Sequence, residues 1–501
     1  MASPPPTSYR VVDLGPIEFA PNVDPVRARN GTFGINNHGE VAFARQKIGT
    51  AETEPRAYIW LPEAIPGLSE GFHLIPNLGG IPSNPPSIAR DISDDRFVVG
   101  QDRGKADGDV GSEAFSYGPL DNMPSVRTYS RTGSTWMAGH AVTEGSQPWM
   151  CGHTDIVICT NAQSGDQRTT RGFFLEVLAA SPTPTLLDPL LDMDEDDTTR
   201  AFDLVPEVSQ TAGTLPVRVA GESTSDWLLP QCTTDPAKLC LTDEDVVVWG
   251  ELGSASAAEL PPVGNASDPD ELGSHGRAIN SDKTVVGWAY RDSPCGNTFA
   301  ALWEDSGGGY TVRTDLPGLG VDGYGHALGL NDLDPPTVVG FDPFNLHAAR
   351  WHYDGTAWNV VDLQDTIEAS CFDSLEQAMD VNDHGWIVGW GLNSGERHAF
   401  VLIPIDDDAC ASDFDGDGDV DTDDLLDLLG VWGPCEEGVI CVEDIDRNCT
   451  VDTPDLLDLL TNWGTDCDGT GQIPEDVQDC FDKFGSDLIA LQACLQAVTG
   501  N

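Results

Sequence analysis

The chain has 501 residues, with 25 Lys and Arg against 83 Asp and Glu, for a formal net charge of −58. That excess of acid excludes a nucleic-acid binder, which needs a positive footprint, and disfavours an anionic membrane surface. It fits a solvated surface in a salty or calcium-rich medium. Hydrophobic residues make up 40% of the chain, including 13 Trp and 17 Phe, so it can fill several cores and is no disordered acidic polymer.

Thirteen cysteines, several at short regular spacings, point to an oxidising compartment and so to an extracellular or cell-surface location. No apolar run reaches the roughly 18 residues of a membrane span, and Met1-Ala-Ser-Pro-Pro-Pro6 shows no signal peptide.

Taken in order, Tyr9 to Gly15 is a lone β-type run. Seven units follow. Unit seven is the clearest: Ala378-Met-Asp-Val-Asn-Asp-His-Gly-Trp-Ile-Val-Gly389 reads strand, turn, strand, and His398 to Leu402 is a further apolar run. Related stretches begin near Gly34, Ala89, Gly139, Val219, Ala278 and Leu328. Marker glycines 100, 152, 221, 287, 340 and 389 are spaced 52, 69, 66, 53 and 49 residues apart, and the longer gaps hold polar insertions. A further strand-like element separates units, as at Phe72 to Gly79, Val312 to Gly320 and Trp358 to Leu363. A β-rich period near 50 residues predicts a propeller, because one such unit cannot bury both faces alone. Val286, Val339 and Val388 are expected in blade cores, with the glycines at tight strand ends.

These units resemble the extracellular HAF repeat family, named for a His-Ala-Phe like His398-Ala399-Phe400. Five of the seven match its Ile-Asn-turn-Val-Val-Gly pattern. The resemblance implies a β-propeller over residues 8–405 and no catalytic residues. The expected fold is thus mainly β: a seven-bladed β-propeller, with a small α-helical EF-hand-like module and a helical tail behind it. The N-terminal run would close the ring by pairing with the end of unit seven, removing two free sheet edges.

At Asp406 the texture changes. Asp413, Asp415, Asp417, Asp421 and Asp424 fall at positions 1, 3, 5, 9 and 12 of a calcium loop, with Gly418 at the sharp turn and Asp419 supplying a carbonyl. The pattern recurs 31 residues on, with Asp444, Asp446, Asn448, Asp452 and Asp455 as side-chain ligands and Thr450 as the carbonyl. In the second loop Cys449 replaces the glycine, and a side chain at φ > 0 costs about 1–2 kcal/mol, so its Ca2+ should be held more weakly.

Two such loops, each followed by a helix, make 406–467 resemble a type I dockerin. That resemblance implies a cohesin-like or other extracellular partner contacting loop positions 10 and 11, here Thr422, Asp423, Thr453 and Pro454. These differ from the usual small hydroxyl pair. The tail, 474–501, reads as two short helices, Glu475–Phe484 and Asp487–Val498.

The 31-residue repeat maps Cys410 onto Cys441 and Cys435 next to Cys467. Bonds Cys435–Cys441 and Cys410–Cys467 are expected, with Cys410–Cys435 and Cys441–Cys467 as the rival pairing. Cys151–Cys159, Cys232–Cys240 and Cys480–Cys494 would close local loops. Cys295 and Cys371 would pair only if their blades meet, and Cys449 would be the odd thiol.

No G-x-S-x-G, H-E-x-x-H, P-loop or C-x-x-C pattern is present. The favoured reading is a secreted non-catalytic binding or surface protein, its propeller displaying a site for a glycan or protein. The alternatives are a polysaccharide-degrading enzyme or accessory protein tethered by the dockerin-like module, and a self-assembling surface protein.

Overall fold

The computed structural model describes residues 6, 8–17, 33–46, 55–76, 86–102, 112–122, 124–132, 134–161, 165–187, 199–206, 217–224, 244–249, 258–260, 274–290, 298–305, 310–320, 323–367, 371–405, 411–415 and 417–464. The expected tail helices, the acidic run 192–197 and the cysteines at 232, 240, 295, 410, 467, 480 and 494 lie outside these residues.

Six four-stranded antiparallel sheets are each built from consecutive strands. Blade one is Phe33–Ile35, Val41–Gln46, Pro55–Leu61 and Gly71–Leu74; blade two is Ser87–Ile92, Val98–Asp102, Glu113–Gly118 and Ser125–Tyr129. Blade three is Met137–Val142, Trp149–Asn161, Gly165–Glu176 and Thr185–Leu186; blade four is Thr199–Pro206, Val217–Thr224, Glu244–Trp249 and Ala258–Glu259. Blade five is Ser274–Ile279, Val285–Tyr290, Thr298–Asp305 and Tyr310–Asp315; blade six is His326–Leu330, Val338–Asp342, His347–Tyr353 and Trp358–Asp362.

A composite closing sheet joins Ser374–Val381, Ile387–Asn393 and Glu396–Pro404 to the N-terminal strand Tyr9–Pro16, which runs antiparallel to Glu396–Pro404 from Tyr9↔Pro404 to Pro16↔His398. The lone N-terminal run thus supplies the missing outer strand. The first strands of successive blades touch one another in an unbroken ring, which is the architecture of a propeller around a central channel.

The repeat's chemistry has a common cause. In blades two to six and in the closing sheet, the first strand carries a β-bulge, as at Ala89/Asp91, Ala201/Asp203 and Ala378/Asp380. The marker glycine pairs with the residue just before it: Gly100 with Ala89, Gly221 with Ala201, Gly287 with Gly276, Gly389 with Ala378. The glycines therefore stand inside strands rather than at strand ends. A Cβ at Gly100, Gly152, Gly287, Gly340 or Gly389 would overlap the carbonyl oxygen of the bulged strand opposite. Gly287→Ala is accordingly expected to destabilise by about 1–3 kcal/mol or more, read from the urea midpoint of the purified chain.

Val286, Val339 and Val388 are fully buried, as the alternation implies. The third-strand tryptophans Trp60, Trp303 and Trp351 are also fully buried, each worth about 1.5–3 kcal/mol or more of transfer free energy. Their indole N–H groups need partners, and Trp351 donates to Pro317 O at 2.6 Å.

Residues 411–464 form a small body of two helices, α1 (Thr422–Gly430) and α2 (Thr453–Thr461), around Val420, Leu428, Val451, Leu459 and Trp463. It is docked on the propeller. Trp60 Nε1 donates to Gly438 O at 2.7 Å, and Gly438 N donates to Asp13 O at 2.7 Å. Arg45 pairs with Glu437 at 2.9 Å, and Arg10 donates to Val442 O at 3.0 Å. Ile440 packs against the core shared by the closing sheet and blade one. Segment 437–442 therefore lies across the seam where the ring closes.

The disulfides agree with one expectation and overturn others. Cys435 bonds Cys441, which removes the rival pairing. Cys371 bonds Cys449 across 78 residues, so Cys449 is no odd thiol and Cys371 is not available to Cys295. Cys151 is a buried free thiol, so it does not close a hairpin with Cys159.

Candidate functional site

Inner-strand side chains line a cavity of about 390 Å³ in the channel. Reading around the ring at the bulge, and at the equivalent position of the regular strand in blade one, the residues are Gly34, Asp91, Ala141, Asp203, Ala278, Gly329 and Asp380. The three aspartates staple neighbouring blades. Asp91 accepts from Ile92 N and, in blade three, Val142 N, both at 2.8 Å. Asp203 accepts from Leu204 N and, in blade five, Ile279 N, both at 2.8 Å. Asp380 accepts from Val381 N at 2.9 Å and from Ile35 N of blade one at 3.1 Å. The glycines leave room: a Cβ on Gly34 would meet Asp91 Oδ1 at 2.6 Å.

Burial pushes Asp91 up to about 6, aided by the charge of Asp94, and Asp203 up to about 7, aided by Asp91 and Asp332; burial also raises Asp380 well above the usual carboxylate range, aided by Asp91 and Asp203. The folded state thus holds protons that the unfolded chain releases near pH 4. The stability from these carboxyls is complete at acid pH and is lost as pH rises through about 6–7. At constant ionic strength and saturating calcium, the unfolding temperature should fall between pH 5 and pH 8, and Asp203→Asn should flatten that fall. An unchanged slope in the variant would contradict the assignment.

The two ends of the channel differ. One end carries turn residues linked from blade to blade. Asn280, Asn331, Asn382 and Asn36 each donate an amide N–H to the next blade's backbone carbonyl at 2.9–3.1 Å. Outside them stand Asn37, Asp94, Glu144, Asp332 and Asp383; Glu144 is exposed at the channel mouth, and partial desolvation there with the charges of Asp94 and Asp91 raises its carboxyl above the usual range.

The other end is cationic and aromatic. The inner-strand position just before the bulge residue carries Arg90, His140, Phe202 and Arg277 in blades two to five, all lining the cavity. The Arg277 guanidinium lies 4.0 Å from the Phe202 ring and 4.5 Å from Trp288. His140 meets Phe202 edge-on at 5.6 Å and His153 at 4.4 Å. Trp136 sits edge-on to His153 at 4.9 Å. Asp155 holds that corner, accepting from Ser134 Oγ, Thr135 N, Thr135 Oγ1 and Trp136 N; despite the burial cost, these bonds pull it down to about 2. Trp288 stacks between His275 at 4.8 Å and His326 at 4.3 Å. None of these groups was singled out from the sequence. The signal for Arg90, His140, Phe202 and Arg277 is a column of the repeat that changes chemistry from unit to unit.

In the helical module, Asp413, Asp415 and Asp424 bring carboxylate oxygens within 4.8 Å of one another, as do Asp444, Asp446 and Asp455. The two loops share their main backbone bonds. Gly418 N and Cys449 N donate to Asp413 and Asp444, at 3.1 and 2.8 Å. Phe414 N and Ile445 N donate to Asp424 and Asp455, at 2.6 and 2.7 Å. Asp421 caps α1 by accepting from Asp423 N, Asp452 holds the same N-cap position before α2, where Pro454 has no N–H to give, Asp417 accepts from Asp419 N, and Asn448 donates to Asp446. Cys449 takes φ +64°, the left-handed turn expected there. Asp423, Thr453 and Pro454 are exposed and Thr422 is half-buried.

No family model and no curated protein matches the sequence. Among solved structures, the chain is similar to one described as a new family of polysaccharide lyase, PL25 ulvan lyase. The TM-score is 0.43 at 9% identity, covering 78% of this chain and 94% of that one. The same lyase bound to a GlcA-(1-4)-Rha3S fragment gives 0.42 at 9% identity and the same coverage. Hydrazine synthase of Kuenenia stuttgartiensis gives 0.33 at 12% identity, covering 72% of this chain and 46% of that one. Chemistry does not carry across at such values. The expectation of a non-catalytic propeller is therefore set aside for its polysaccharide-degrading alternative on the lining of this channel, not on those likenesses.

Among the described residues, no helix is long and apolar enough to cross a membrane.

Proposed function

We propose that the protein is a secreted polysaccharide-degrading enzyme acting on an acidic sugar chain at the Arg/His end of its channel. The observation that carries this reading is the convergence of His140 and Arg277 on Phe202 at the cavity wall. On a chain of net charge −58, a polyanion is repelled except where guanidinium and imidazole are gathered. The pairing suits β-elimination. His140 would take the proton beside a uronate carboxylate, Arg277 would neutralise that carboxylate, and the bond to the 4-oxygen would break, that oxygen taking a proton from water to give a new hydroxyl end and leaving an unsaturated ring. Hydrolysis needs two carboxyls free to act; Asp91, Asp203 and Asp380 each hold two backbone N–H groups, and the other acids of the cavity, Asp94, Glu144, Asp332 and Asp383, stand at its opposite end.

The test is to incubate the purified chain with sulfated and unsulfated polyuronates and with a neutral glucan, following new reducing ends and the ultraviolet absorbance of unsaturated uronate. Cleavage of polyuronate with matching absorbance is expected. Cleavage of the glucan, or new ends without the absorbance, would contradict it.

The helical module, in the same reading, binds two Ca2+ ions in a dockerin-like way. Asp413, Asp415, Asp417, Asp419, Asp421 and Asp424 hold one, and Asp444, Asp446, Asn448, Thr450, Asp452 and Asp455 hold the other. An extracellular, cohesin-like partner would meet Thr422, Asp423, Thr453 and Pro454. Clustered carboxylates repel without an ion, so calcium should stabilise 411–464. Titration calorimetry should show two affinities, the weaker lost in Asp444→Ala and the tighter in Asp413→Ala. Equal affinities would remove the argument from Cys449.

A further inference from the structure

We propose that Phe344 and Tyr324 form a sugar-stacking subsite for the same acidic polysaccharide, outward from the channel along blade six. The inference rests on the enzyme reading above and adds where a second part of the polymer lies. Phe344 is 63% exposed, the most exposed of the large hydrophobic side chains among the described residues. A single exposed apolar residue is ordinary; this one is held in place.

The turn that carries it is braced by Asp342, which is 2% exposed. Asp342 Oδ1 accepts from Phe344 N at 2.8 Å, Oδ2 accepts from Asn345 Nδ2 at 2.9 Å, and its carbonyl accepts from Leu346 N at 2.9 Å. The Phe344 ring lies 4.1 Å from Tyr324, tilted 33°, and Tyr324 is backed by Phe299 at 6.0 Å. A rigid, shallow aromatic shelf loses little entropy when a pyranose ring lays its C–H face on it.

The shelf stands on the same face of the ring as the cationic end of the channel. Phe341, three residues before Phe344, pairs in register with His326, two residues after Tyr324. His326 Nε2 is 2.7 Å from Thr298 Oγ1, and its ring stacks on Trp288, which in turn carries the Arg277 guanidinium. Aromatic stacking at the shelf and positive charge further in are complementary to a chain that alternates apolar sugar faces with carboxylate or sulfate groups. A neutral peptide or a second copy of this acidic chain would not match the charge.

The experiment compares Phe344→Ala with the wild-type chain on a polyuronate that the latter cleaves, and on the shortest oligosaccharide it cleaves. Retardation in a gel containing the same polymer is measured alongside. We expect KM on the polymer to rise about fivefold to tenfold, the scale of one lost aromatic contact. Turnover should stay within about twofold, the short substrate should be unaffected, and gel retardation should weaken. If wild type cleaves and Phe344→Ala keeps its KM and retardation, the subsite is overturned and the enzyme reading stands. If wild type neither cleaves nor is retarded by any acidic polysaccharide, both fall together. A change of sedimentation from dimer to monomer in Phe344→Ala would also overturn the subsite, by showing that the shelf packs on a second copy.

Discussion

Replacing His140 by Ala is expected to lower turnover on the cleaved polysaccharide by about 10²–10⁴-fold, the range over which a positioned acid or base accelerates a proton transfer. KM should change little, because an imidazole that acts in the transition state binds substrate and transition state unequally. His140 is 7% exposed and packs on His153 and Phe202, so truncation also removes packing. His140→Gln fills most of that volume and keeps hydrogen-bonding capacity, but cannot serve as a base near neutral pH. Both variants should be inactive, and His140→Gln should keep the wild-type unfolding temperature. Arg277→Lys offers a complementary test. It retains the charge but loses the planar guanidinium on Phe202 and Trp288, so its defect should appear in both KM and turnover. Full activity in His140→Gln would remove imidazole from the mechanism.

Much of the propeller was legible because its repeat is forced by local chemistry. Outside blade one, the bulge on the first strand crowds the second strand, and only glycine fits opposite it, so Gly100, Gly287, Gly340 and Gly389 recur in the sequence at blade spacing. The same logic made Tyr9 to Gly15 recognisable as a strand in search of a sheet. The site was not legible for the complementary reason. Whatever the blades share serves the fold, so the groups that differ, Arg90, His140, Phe202 and Arg277, drop out of any search for what repeats. They meet only because the ring brings successive inner strands together across gaps of 50–75 residues.

The acids that the composition advertises proved misleading in the channel, where Asp91, Asp203 and Asp380 join blades rather than face a substrate. Cysteine pairing showed the same division. Cys435 and Cys441 are six residues apart and were found from spacing, whereas Cys371 and Cys449 come together only through the docking of the helical body on the propeller.

That docking leads to an expected result with two opposite signs. Cys449→Gly should loosen the ring's closing seam while tightening calcium at the second loop. The Cys371–Cys449 bond spans 78 residues, and the chain-entropy account gives such a loop about 4.5 kcal/mol of stabilisation. The bond fastens the helical body beside the closing sheet, where segment 437–442 already holds Asp13 and Arg10 of the N-terminal strand. With the bond cut, hydrogen exchange at the backbone amides of Tyr9–Pro16 and Glu396–Pro404 should accelerate, as local opening of the seam becomes less costly. Cys371→Ser should do the same.

At the second loop, φ of +64° at residue 449 is a conformation that glycine adopts freely and a side chain does not. Cys449→Gly should therefore raise calcium affinity at that loop by about fivefold to thirtyfold, the equivalent of about 1–2 kcal/mol of relieved strain. Cys371→Ser leaves Cys449 in place and should give no such gain. If Cys449→Gly instead binds calcium more weakly than wild type, the disulfide is what holds the loop ready for the ion, and fastening and ion binding are one function rather than two.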